Sequence, residues 1–253
     1  MTLPEYEVLT GRFKDPAVQG ESERNADVTA KQTTLSMITI FQHGSEESAG
    51  EIAGCLDDYG TPFTIVKLFE TNEIPPKIPD SLIVLGGQMS VNDTDEYPYF
   101  NREKEIIRQM ISRQRPVFGI CLGAQMIASA FGERVFGSTP EHGWCRVHGS
   151  QTEDPDPFPR SCTVFHWHNE TFNLPPQATL LLKGDRINNQ AFRLGSTVGV
   201  QFHPEVTMEI ISRWSHELRR GERERLLQDS EREMAGNTER CRILTTKFLN
   251  GWR

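Results

Sequence analysis

The chain has 253 residues, 36% hydrophobic and 25% charged, with a formal net charge of −8 from 27 basic and 35 acidic side chains. That length can bury one large α/β core or two small ones, and the acidic balance argues against a surface that tracks phosphates, so no nucleic-acid partner is expected. The longest apolar stretch, residues 117–131, is interrupted by Gln125 and Ser129 and is too short to span a bilayer, so no membrane association is expected either.

Residues 1–36 are polar and show no apolar period, which predicts a loose N-terminal arm. The first twenty residues lack the charged start and apolar centre of a secretory signal. Five cysteines, at positions 55, 121, 145, 162 and 241, follow no framework spacing, which fits a reducing, cytoplasmic setting. The folded domain is expected over residues 37–253. It opens with a buried-type strand, "MITIF", and a helix across "SEESAGEIAGCLDDYG". There Ser48 and Glu51 fit a capping box, Ile52, Cys55, Leu56 and Tyr59 fall on one face, and Gly60 suits the stop. Strands follow at "FTIVKLF" and "SLIVLGG". A helix across "NREKEIIRQMISRQ" carries Ile106, Ile107, Met110 and Ile111 as one stripe, and "PVFGI" and "LGAQMIASAFG" form the next strand and helix. Strands alternating with helices predict an open, mostly parallel α/β sheet covered on both faces.

From Trp144 to Phe202 the pattern changes to short strands, "CRVHG", "TVFHWH", "TLLLKG", "NQAFRLG" and "TVGVQF", most simply an antiparallel extension of the same sheet. Beyond Glu205 the chain returns to helix. Ile211, Trp214 and Leu218 share one face, Ile243, Leu244 and Phe248 another, and "RRGERERLLQDSERE" reads as a solvated, charge-laced helix surface.

One stretch, "VFGICLGAQ", sets Cys121 between Gly119 and Gly123 where an apolar strand turns into a helix. So tight a turn strains its central residue and needs small neighbours. It also places the thiol at a helix N-terminus, where the dipole favours the thiolate. By itself the pattern also fits a buried structural cysteine, as expected for Cys55 and Cys241. A partner base is offered by "GVQFHPE": on a strand, His203 and Glu205 point to the same side, so the carboxylate can fix the imidazole tautomer. By itself His-x-Glu also fits a surface ion pair. "LGGQMSVND" ends a third strand, where Gly86 and Gly87 leave backbone N–H groups exposed and the N–H of Leu122 is the other natural donor for an oxyanion hole. By itself a double glycine after a strand also fits an ordinary turn. A zinc site from Cys145, His148, Cys162, His166 and His168 is disfavoured, because the spacing is unusual and strand alternation turns several of these side chains to opposite faces.

Together, "LGGQMSVND", "GICLGAQ" and "VQFHPE" resemble, in order, the oxyanion loop, nucleophile elbow and histidine–glutamate strand of the class I glutamine amidotransferases. The similarity runs from about Met37 to Glu205. It looks closest to the stand-alone branch similar to the amidotransferase domain of GMP synthase, through "YPYF", "EHGW", "NQAFR" and "QFHPEVT". The resemblance implies a flavodoxin-like, three-layer fold with Cys121 as nucleophile, His203 as general acid/base, Glu205 as its orienter and Gly87 and Leu122 as the oxyanion hole. It further implies that Gly86, Gln125 and the segment "WHNE", with His168, Asn169 and Glu170, line the substrate. The chain departs from the family at Gln88, where proline is common, and at Asn169, where glycine is frequent.

The implied chemistry needs no metal or organic cofactor. Glutamine would be hydrolysed to glutamate and ammonia through a γ-glutamyl thioester. With no nucleotide-binding loop of the G-x-x-x-x-G-K-[ST] type, the ammonia acceptor would be a separate synthetase. The alternatives are a free-standing γ-glutamyl peptide or amide hydrolase and a non-catalytic regulatory protein on the same scaffold.

Overall fold

A computed structural model describes residues 37–150 and 157–252. The expected polar arm over residues 1–36 lies outside the described residues. The first half builds the parallel part of the sheet from β1 (Ile38–Gln42), β2 (Phe63–Lys67), β3 (Ser81–Val84) and β4 (Val117–Ile120). All four positions of β3 and of β4 are buried, as a parallel strand covered on both faces requires. β5 (Val135–Gly149), β6 (Ser161–Phe172), β7 (Thr179–Gly184), β8 (Ala191–Leu194) and β9 (Thr197–Val200) complete a nine-stranded sheet in the order β2-β1-β3-β4-β9-β8-β7-β5-β6. β9 runs parallel to β4, and the pairs β8–β9, β7–β8, β5–β7 and β5–β6 are antiparallel.

Helices cover both faces. α1 (Gly50–Asp58) and α6 (Arg220–Leu249) pack on one side, where Ile52, Cys55, Leu244 and Phe248 meet Ile40, Ile83, Phe118 and Val200. α3 (Tyr99–Ser112) and α4 (Leu122–Ala130) take the other, where Ile106, Met110, Met126 and Ile127 meet Leu82, Val84 and Val117. Alternation along β3 divides its side chains between the two faces in the way a strand period of two dictates. A short α2 (Leu68–Thr71) follows β2, and α5 (Met208–Trp214) runs into a 3-10 turn at Ser215–Glu217. No described helix is long and apolar enough to cross a membrane.

Several local expectations differ from the structure. α1 has no side-chain cap, and Ser48 and Glu51 do not form a capping box. The backbone N–H of Glu51 instead donates to the carbonyl of Glu205 at 2.9 Å, so a tertiary contact meets the need a cap would have met. Tyr59 and Ile243 turn outward, 42% and 39% exposed. The region read as beginning at Trp144 begins nine residues earlier, because β5 is a single long strand that accommodates Gly137, Pro140 and Gly143 around a register irregularity between Gly137 and Glu141.

Candidate active site

The C-terminal ends of β3, β4 and β9 open into one cavity of about 920 Å³, whose lining includes Gly87, Cys121, Gln125, His168, Glu170 and His203. At the end of β4, Cys121 adopts φ 50° and ψ −104°, left-handed backbone that a side chain seldom tolerates, and it sits at the N-cap of α4. The two glycines make this possible. A Cβ on Gly119 would lie 2.5 Å from Ile127 Cδ1 and 2.6 Å from the carbonyl oxygen of Gly123, and one on Gly123 would overlap the carbonyl of Val84 on the neighbouring strand. Backbone bonds hold the turn from both sides: Cys121 N–H donates to Val200 O at 2.8 Å, and Gln125 N–H donates to Cys121 O at 3.1 Å.

Past the end of β9, His203 and Glu205 are each 2% exposed, and His203 Nδ1 lies 2.7 Å from Glu205 Oε1. Burial by itself lowers the pKa of His203. The Glu205 carboxylate, and then the Cys121 sulfur, outweigh it and push the imidazole up to about 10. His203 Nε2 is buried without a hydrogen-bond partner of ordinary geometry. The ring packs edge-on against Trp214, centroids 4.8 Å apart, and His203 N–H donates to Phe165 O at 2.8 Å.

The β3 loop closes over these groups. A Cβ on Gly86 would lie 3.0 Å from His203 Cε1 and 3.7 Å from Cys121 Cβ, and one on Gly87 would lie 2.7 Å from Leu122 Cδ2. The double glycine therefore lets backbone approach the thiol where any side chain would intrude. Gln88 interacts with the side chain of Glu47, a cavity-lining carboxyl whose pKa burial raises and this bond partly restores.

Gln125, His168 and Glu170 form the opposite wall. Gln125 Nε2 donates to Glu170 O at 3.3 Å and to Gln201 Oε1 at 3.4 Å, and His168 Nδ1 lies 3.0 Å from Glu170 O. The Glu170 side chain accepts from Ser90 Oγ at 3.0 Å. Asn169 lines the cavity but is exposed. Sequence reasoning missed Gln201, whose Nε2 donates to Cys121 Sγ at 3.6 Å. A strand period of two counted back from His203 would have placed it on the same side. It also missed Trp214, read only as an apolar helix position.

The residues weighed as a zinc set divide differently from expectation. The β5–β6 register pairs Cys145 with Val164, Val147 with Cys162, Gly143 with His166 and Glu141 with His168. Alternation therefore removes only His148; the cysteines share the histidines' face but lie further along the strands. His166 and His168 converge instead on Glu141, which the sequence reading did not consider. His166 is pushed down to about 3 by burial, with His168 adding to the effect and Glu141 opposing it.

Comparison with known proteins follows the same outline. A family model described as glutamine amidotransferase class-I matches residues 49–212. The glutamine amidotransferase-like protein YfeJ of Salmonella typhimurium is 31% identical over 221 residues, covering 83% of this chain and 87% of that protein. The glutamine-hydrolysing GMP synthase of Helicobacter pylori is 30% identical over 175 residues, 67% of this chain but only 33% of the synthase. A crystal structure of a glutamine amidotransferase from Thermotoga maritima superimposes with a TM-score of 0.78 at 27% identity, covering 85% of this chain and 98% of that one.

Proposed function

Because the chain belongs to the class I glutamine amidotransferase family, we propose that it hydrolyses glutamine to glutamate and ammonia on Cys121 and supplies the ammonia to a synthetase on a separate chain. The observation that carries this is the meeting of a strained, elbow-mounted thiol with a histidine that a buried carboxylate holds charged. In the proposed sequence the Cys121 thiolate attacks the side-chain amide carbon of glutamine, and the carbonyl π electrons move to oxygen. Backbone N–H groups at Gly87 and Leu122 hold that oxyanion. The imidazolium of His203 gives its proton to the departing nitrogen, which leaves as ammonia when the C–N bond breaks. A γ-glutamyl thioester remains on sulfur. His203, now neutral, takes a proton from water as the oxygen attacks the thioester carbon, and collapse releases glutamate and the thiolate. Glu205 keeps the ring in the tautomer and orientation that both steps use. Gln125, His168, Asn169 and Glu170 shape the wall that receives the amino-acid end of the substrate.

The separate synthetase is supported by the matched span, which takes in only a third of the Helicobacter pylori GMP synthase. The size of the cavity favours a second reading. At about 920 Å³ it lies near the upper end of ordinary ligand pockets, and it extends to Glu217 and Leu218. That is room for a leaving group larger than ammonia, as a γ-glutamyl amide or peptide would carry. Wild-type protein and Cys121→Ala, each with glutamine and with a panel of γ-glutamyl amides and peptides, separate these readings by the glutamate and ammonia released. Glutamine hydrolysis lost in Cys121→Ala supports the first, and preference for γ-glutamyl peptides supports the second. No glutamate from any substrate, even with cell extract added, overturns both.

A further inference from the structure

The antiparallel arm carries a second cluster of functional groups, behind the cavity wall. His166 and His168 lie two apart on β6 and Glu141 lies opposite His168 on β5, with residue exposures of 0%, 6% and 3%. Three atoms converge there: His166 Nδ1 is 3.2 Å from His168 Nε2, His168 Nε2 is 3.3 Å from Glu141 Oε2, and His166 Nδ1 is 3.5 Å from the same oxygen. Counting protons shows a mismatch. His168 Nδ1 faces the carbonyl oxygen of Glu170 at 3.0 Å, so Nδ1 carries the proton and Nε2 of the neutral ring presents a lone pair. Glu141 Oε2 is also an acceptor. One proton on His166 Nδ1 can serve one of the two contacts and leaves the His168–Glu141 contact as lone pair against lone pair.

Only a positive centre reconciles the three atoms, either a second proton or a metal cation, and the distances choose between them. A charge-assisted N–H···O⁻ bond contracts to roughly 2.7–2.9 Å, as the 2.7 Å His203–Glu205 pair does in this same molecule. The triangle instead has edges of 3.2 to 3.5 Å. Tetrahedral bonds of about 2.0–2.1 Å from nitrogen and carboxylate oxygen place neighbouring ligand atoms roughly 3.3 Å apart. We propose that Glu141, His166 and His168 form a binding site for a borderline divalent transition-metal ion, Zn²⁺ foremost. The surroundings of two of the three ligands match such a site: His168 gives its other N–H to a backbone carbonyl, and Gln190 Nε2 donates to Glu141 Oε2 at 2.8 Å, while His166 Nε2 is buried without a partner. Through His168 and the Glu170 carbonyl, which Gln125 also contacts, a bound ion ties the strand pair to the cavity wall.

The test uses full-length protein stripped with chelator and loaded with Zn²⁺ alone. Elemental analysis is expected to find one zinc per chain, in wild type and in Cys121→Ala alike, because Cys121 and His203 are a separate potential zinc trap. Absorption at the zinc edge is expected to show two imidazole nitrogens and one carboxylate oxygen at about 2.0–2.1 Å and no sulfur at about 2.3 Å. Glu141→Gln and His166→Ala are each expected to weaken zinc binding at least tenfold. Absence of retained zinc, a sulfur ligand, or undiminished affinity in both variants overturns the proposal. Should His166→Ala fail to fold, the wild-type spectrum and Glu141→Gln decide.

Discussion

Glu205→Gln isolates the charge on the carboxylate of the proposed triad from its shape. Glutamine can still accept from His203 Nδ1 at the 2.7 Å position, but the negative charge that outweighs burial is gone. Wild-type His203, with its pKa pushed up to about 10, is charged throughout the neutral range; in the variant burial dominates, and the ring is expected to titrate below its unfolded value of about 6.5. Removing one partner of a buried ion pair costs about 3–5 kcal/mol when the other stays charged. Here the loss is capped, because His203 can shed its proton. A folded pKa raised above the unfolded one stabilises fully below the unfolded pKa, and that stabilisation fades as pH rises through the folded pKa. The destabilisation by Glu205→Gln is therefore expected to be roughly 3 kcal/mol near pH 6 and small near pH 10. Urea unfolding across pH measures this, and NMR titration of the His203 Cε1–H reads the pKa directly. Turnover should fall roughly 10²- to 10⁴-fold. A midpoint in the variant within one unit of wild type, or a destabilisation that does not vary with pH, would refute the reasoning.

Gly123→Ala, whose Cβ would overlap the Val84 carbonyl, is expected to destabilise by about 1–3 kcal/mol and to abolish turnover by displacing the elbow. Gly54→Ala serves as its control: the position is exposed on α1 with no atom within 4 Å of the added Cβ, so urea unfolding should show a gain of about 0.5–1 kcal/mol. Gln201→Leu removes the donor to Cys121 Sγ, and steady-state kinetics should show kcat reduced roughly tenfold, the loss of about 1.4 kcal/mol from one hydrogen bond to the sulfur, with KM changed less. Equal kcat in Gln201→Leu and wild type would remove that residue from the thiol's environment.

The parallel half of the fold was legible because its strands are continuous apolar runs and its helices carry apolar stripes, signals that local pattern alone generates. β5 was not, because Gly137, Pro140 and Gly143 argue locally against a strand, and only pairing with β6 along most of its length overrides them. The α1 start failed for a related reason: Ser48 and Glu51 fit a local cap, but the orphan N–H found its acceptor in Glu205, far away in sequence. The same limit applied to side chains. The proposed triad and the glycine loops carry recognisable spacings, and the structure gathers them around one cavity. Glu141 and Trp214 carry none, since what singles them out is the partner each meets across strands or between helix and loop, and Gln201 carries only its even spacing from His203.

The central pairing of β4 with β9 has a consequence for how the molecule comes into being. Gln201 and Cys121, side by side in the finished sheet, stand 80 positions apart in the chain, and all of β5 to β8 lies between them. So long a closure is entropically late and slows folding. A nascent chain on the ribosome can form β1, β3 and β4 early, yet the edge of β4 stays unpaired until β9 has emerged, an open template for intermolecular strand addition. Synthesis halted before β9 leaves both a sticky intermediate and an incomplete candidate site, so completion of that site and escape from aggregation occur in the same late step.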